Sequence, residues 1–92
     1  MMYLEIVTPE ASLVQGEVSS VSVPGSDGSF QMLENHAAIV STLGAGVVKF
    51  IGDPEIAEAH KSRFSQKDGA WSLTIKSGTV QMVDNKVIVL AD

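Results

Sequence analysis

Ser29, His36 and Asp27 have the chemistry of a nucleophilic site: a hydroxyl, a base, and a carboxylate that would orient the imidazole. Their setting argues for another use. Ser29 follows Gly28 without the Gly-x-Ser-x-Gly elbow that exposes a nucleophile, and a chain of 92 residues has little volume for a water-excluding pocket. The two histidines, His36 and His60, lie on separate segments without ligand spacing, and cysteine is absent. The sequence therefore predicts no metal, no cofactor and no thiol chemistry. What remains is a run of polar groups, Glu34, Asn35 and His36, which core packing does not require. That run reads as a presented surface. Plainer roles compete with this reading: Asp27 can serve only its own turn, and His36 only nearby backbone groups.

These residues must be positioned by strands and turns. Val21 and Val23 alternate with serines as a half-buried strand does. Pro24 then fixes φ, Gly25 and Gly28 permit positive φ, and Asp27 can bond its own backbone. Phe30, Met32 and Leu33 follow as apolar anchors leading to the polar run. The same period of two sets Leu4 and Ile6 against Tyr3 and Glu5, and Leu73 and Ile75 against Ser72, Thr74 and Lys76. Val18 lies an odd number of residues from Val21 and Val23, so one regular strand cannot bury all three, which predicts a β-bulge at Ser19-Ser20. Ser77-Gly78 and Asp84-Asn85 mark turns, the second a two-residue hairpin, and the C-terminal third reads as a meander. The chain is expected to be one all-β domain over residues 1–92, a β-sandwich or flattened barrel of about eight to ten short strands.

Composition narrows the function. A hydrophobic content of 45% provides a small core, and stability must come from packing. The start, Met1 to Glu5, lacks the basic patch and long apolar run of an export signal, and no later stretch is long and apolar enough to span a bilayer, so no direct membrane insertion is expected. A net charge of −5 with Lys and Arg scattered along the chain argues against nucleic acid and predicts a basic partner. A free-standing β-sandwich binding module, for example for carbohydrate, is the alternative. Tyr3, Phe30, Phe50, Phe64 and Trp71 are too few for a sugar platform and sit mostly where a small core would take them.

The run Val23-Pro24-Gly25-Ser26-Asp27-Gly28-Ser29-Phe30 with Asn35-His36-Ala37 resembles the VPGxxGxF and NHAP signatures of the epsilon subunit of rotary F-type ATP synthases. Leu4 to Glu10 resembles that family's opening strand, Gly16-Glu17-Val18 its second, and Ser77 to Val80 with Lys86 to Asp92 its closing hairpin, in order over nearly the whole chain. The resemblance implies a β-sandwich that acts as a non-catalytic rotor component of the central stalk. It would link the gamma subunit to the membrane c-ring within the wider F1 complex of alpha and beta subunits, peripherally, at the cytoplasmic face of a bacterial inner membrane. It implies a c-ring contact at Asp27, Ser29, Glu34, Asn35 and His36, where two carboxylates, an amide and an imidazole suit a guanidinium on the ring's polar loop. For gamma it points to Val14, Gln15, Val40, Ser41 and Thr42, with Val14 and Val40 equally suited to the core.

The sequence also departs from the family pattern. Gln31 stands where the family often has Gly, and Glu34 and Ala38 where it often has Pro. The family's two C-terminal helices have no counterpart before Asp92, so a short form without helix-mediated inhibition is expected. Residues 52–69 form an insertion. Asp53 can cap a short helix with Pro54 in its first turn, or Phe64 to Asp68 can extend and close on Trp71.

Overall fold

The computed structural model describes residues 2–92, and these form ten strands and one 3₁₀ segment. The strands are β1 (Met2–Val7), β2 (Ser12–Gly25), β3 (Gly28–Leu33), β4 (Ile39–Leu43), β5 (Gly46–Gly52), β6 (Glu55–Ile56), β7 (Phe64–Lys67), β8 (Ala70–Ile75), β9 (Gly78–Val83) and β10 (Lys86–Ala91), with the 3₁₀ segment at Glu58–Arg63. The expected all-β class holds, and no helical hairpin is present among the described residues.

The long strand β2 organises the fold. Its first half pairs with β1 and β6, its second half with β3 and β5. One layer continues β1, β10, β9, β4, and β4 returns to β2 at Leu43 and Gly25, which closes a flattened barrel. The other layer continues β5, β8, β7. The first and last strands run side by side in parallel, Leu4 opposite Val87 and Ile6 opposite Val89. Alternation places Met2, Leu4 and Ile6 of β1, Val80 and Met82 of β9, and Val87 and Val89 of β10 in one core with Val48 and Phe50 of β5.

The expected bulge is present. Val18 faces Gly52 and Ser20 faces Ile51, so Ser19 is extra, and its hydroxyl donates to the Ile51 carbonyl at 3.2 Å. The added residue brings Val18, Val21 and Val23 all inside. A second irregularity was not foreseen: Ile6 pairs with Val14 and Val7 with Ser12, which leaves Leu13 extra and buries both Leu13 and Val14.

Three expectations need correction. Leu33 is 52% exposed and is no anchor, whereas Met32 is fully buried. Ser77-Gly78 is a corner between layers, because β8 pairs with β5 and β7 while β9 pairs with β4 and β10, so the C-terminal third is no meander. Within residues 52–69, Ala57 precedes the 3₁₀ turn with no side-chain cap, while Asp53 and Pro54 lie before the short pairing of β6 with Val14 and Gln15. Helical turn and extended return both occur there, since β7 pairs back onto β8 through an Asp68-Gly69 turn with φ of 53° and 80°. That Asp-Gly pair between β-rich runs was a readable hairpin signal.

Candidate functional site

The β2–β3 hairpin turns at Ser26-Asp27, with Gly25 opposite Gly28. Gly28 takes a φ of 126°, as a turn exit needs, but Gly25 is required for space. A Cβ there would lie 2.6 Å from the Gly28 carbonyl oxygen and 2.8 Å from Phe30 Cε1. The expected Asp27 self-bond is absent among the described residues; Ser26 does the anchoring. Its amide donates to the Thr42 carbonyl at 3.0 Å and its hydroxyl lies 2.9 Å from the Thr42 hydroxyl. Gly44 N–H in turn donates to the Pro24 carbonyl at 2.8 Å. Asp27 and Ser29 stand exposed on a turn fastened to the end of β4.

Glu34, Asn35 and His36 are also exposed, but at the opposite end of β3. A strand of six residues separates the two groups, roughly 17 Å at the usual rise. The hydroxyl, base and carboxylate of a nucleophilic site are therefore not assembled. Nor, among the described residues, do any three His, Cys, Asp or Glu side chains come together as metal ligands. The tip has its own fastening. The His36 amide donates to the Leu33 carbonyl at 3.0 Å, and His36 Nδ1 lies 2.7 Å from the Ala37 carbonyl oxygen, an acceptor, which assigns the proton to Nδ1.

Asn35 takes a left-handed φ of 66° and is joined to Asn85, fifty positions away, at φ 60° in the β9–β10 turn. The Asn35 amide donates to Asn85 Oδ1 at 2.5 Å, and Asn85 Nδ2 donates to Asn35 Oδ1 at 3.1 Å. Sequence reasoning found the polar run and the Asp84-Asn85 turn without this link, because no local pattern pairs two asparagines so far apart.

The residues expected at a gamma contact divide. Val14 is fully buried beside the Leu13 bulge, so its side chain presents nothing and it leaves the set. Gln15 is exposed, its Nε2 donating to Ser12 Oγ at 3.0 Å. Val40 is 75% exposed, Thr42 is exposed, and Ser41 is half-buried with its hydroxyl donating to the Thr42 carbonyl at 3.1 Å. Register places Val40 and Gln15 at the two ends of one row across the outside of the barrel layer: Val40, Gln81, Ile88, Glu5, Gln15. Exposed Leu90 and Val83 flank that row. Sequence reasoning missed both, although Leu90 is the outward member of the alternation Val89-Leu90-Ala91. The outcome is one mixed apolar and polar face, bordered at each end of β3 by a fastened polar turn.

Comparison with known proteins meets this geometry. The family model described as ATP synthase, Delta/Epsilon chain, beta-sandwich domain matches residues 1–92. The chain is 36% identical over 91 residues to an ATP synthase epsilon chain of Campylobacter concisus, covering 99% of this chain and 60% of that one. It is 36% identical over 89 residues to the epsilon chain of Leptospira borgpetersenii, covering 97% and 59%. The chain thus spans about 60% of the length of these curated relatives. A chain in the cryo-EM structure of the Tetrahymena thermophila mitochondrial ATP synthase central stalk and c-ring shares the fold, with a TM-score of 0.73 at 16% identity over 98% of this chain and 62% of that one.

Proposed function

Because the chain belongs to the β-sandwich family of ATP synthase delta and epsilon chains, we propose that it is a non-catalytic rotor component that joins a gamma subunit to a membrane ring of c subunits. The observation that carries this reading is the division of its surface. The barrel layer offers an outer face with Val40, Leu90 and Val83 exposed among polar neighbours, suited to a broad protein contact. The two ends of β3 offer compact polar groups, Asp27 with Ser29 and Glu34 with Asn35 and His36, suited to cationic groups on a second partner.

Two contacts of roughly 800 Å² each would occupy about a third of the 5186 Å² surface. A domain that commits so much surface works as a coupling piece, and its stiffness is then the useful property. Two strand layers around one packed core deform little under load. The gamma contact falls on Val40, Thr42 and Gln15 with part of Ser41, and the ring contact on the two polar ends. The protein sits peripherally at the cytoplasmic face of a bacterial membrane; no helix among its described residues is long and apolar enough to cross one.

The test is recovery of tagged protein from its own membranes, with gamma and c chains identified by mass spectrometry, followed by ATP-driven ion pumping with Asp27→Lys and Glu34→Lys. Because the two sites lie at opposite ends of β3, their effects should add. Wild-type recovery without gamma and c chains, or undiminished pumping in the double variant, refutes the reading.

A further inference from the structure

The β9–β10 turn has no part in the partner contacts proposed above, yet it is bonded to the tip. Asn35 and Asn85 exchange two hydrogen bonds. They tie the exposed tip to the β9–β10 turn, beside the local bond from the His36 amide to the Leu33 carbonyl. The Asn85 carbonyl also accepts from the Tyr3 amide at 2.8 Å, which fixes the turn to β1. The link therefore runs from the tip through Asn85 into the parallel pair that binds the first and last strands.

Between the two turns lies an open notch of about 280 Å³, lined by Asn35, His36, Ala38, Val83, Asp84 and Asn85. Its lining carries one charged group and two amides. Asp84 contributes a carboxylate, and the two amide oxygens each keep a second lone pair beyond the bond already made. Val83, 42% exposed, forms an apolar wall. Lys86, the nearest cation in sequence, holds its ammonium 5.6 Å from the centre of the Tyr3 ring and lines a neighbouring recess that also includes Val83 and Asp84. A donor-only group on an aliphatic stem, such as an arginine or lysine side chain, complements this lining.

We propose that the β9–β10 turn is part of the ring-facing surface: Asn85 is a positioning residue that holds the tip, and Asp84 receives a cationic side chain of the ring in the notch. This rests on the rotor reading above. Asn85→Gly is the informative variant, because Asp-Gly is a preferred two-residue hairpin turn that keeps the positive φ while deleting the amide. Asp84→Asn keeps the turn and removes only the charge. In complexes reconstituted from the full chain with its gamma and c subunits, each variant should retain the wild-type melting midpoint and gamma recovery. Ring recovery should fall about tenfold, as for loss of a charge-assisted bond or of the geometry that aims it. The salt sensitivity of ring recovery should weaken in Asp84→Asn and persist in Asn85→Gly. Wild-type ring recovery by both variants overturns this inference and leaves the rotor reading standing. Failure of the wild-type chain to recover the ring overturns both.

Discussion

Phe50→Ala measures where the core lies. Phe50 is fully buried on β5, opposite Val21 on one side and Trp71 on the other, and its ring meets Phe64 edge-on with centroids 6.1 Å apart at 77°. Truncating a buried phenylalanine costs about 3 to 5 kcal/mol, and the lost edge-to-face pair places this case near the upper end. Both flanking strands are held by backbone ladders, so the cavity cannot readily collapse. Phe30 is the comparison: it packs against the core but is only half-buried, lying against the Gly25 turn. Scaling the same cost by its burial gives about 1.5 to 2.5 kcal/mol. A domain of this size moves its midpoint by about 4 to 8 °C per kcal/mol, so the variants should melt roughly 20 °C or more and roughly 10 °C below wild type, respectively. Reversible thermal unfolding followed by circular dichroism gives both midpoints. Equal midpoints would refute the placement of Phe50 at the centre and Phe30 at the margin.

Gly25→Ala should destabilise by about 1 to 3 kcal/mol through the crowding of Gly28 and Phe30, although the backbone there is not left-handed; an unchanged urea midpoint would count against it. Val40→Asp should leave stability within about 0.5 kcal/mol, since the side chain is 75% exposed, while reducing recovery of gamma from membranes. Removing Ser19 should abolish folding, because without the extra residue either Val18 or the pair Val21 and Val23 turns to solvent; a soluble deletion variant with a cooperative melt would contradict the bulge's role.

The strands were legible wherever one face is wet, as in β1 and β8, because alternation records burial directly. The Ser19 bulge was legible for the same reason, as a slip in that alternation between Val18 and Val21. The Leu13 bulge was not, since two adjacent buried residues, Leu13 and Val14, look like an ordinary apolar pair in sequence. Layer assignment was equally invisible: β8 and β9 are separated only by Lys76 and Ser77, a spacing that suits a hairpin or a corner alike. The turn residues of the candidate site were found by type, but the separation of Asp27 from Glu34 follows from the extended course of β3. The Asn35–Asn85 pairing depends on closure of β10 against β1, a contact between the two ends of the chain.

β3 pairs with β2 alone, so by itself it would be an edge strand free to twist under load. The fastenings at its ends change its mechanics. At one end Ser26 is bound to Thr42 of β4; at the other Asn35 is bound to Asn85 between β9 and β10. Both ties lead into the strands whose outer side carries Val40, Val83 and Leu90. A force on either polar end of β3 therefore reaches that face through hydrogen bonds and packed strands without crossing a flexible loop. On the rotor reading this is the load path from ring to gamma, and it explains why the polar groups occupy two short turns braced against the barrel layer and not one long loop.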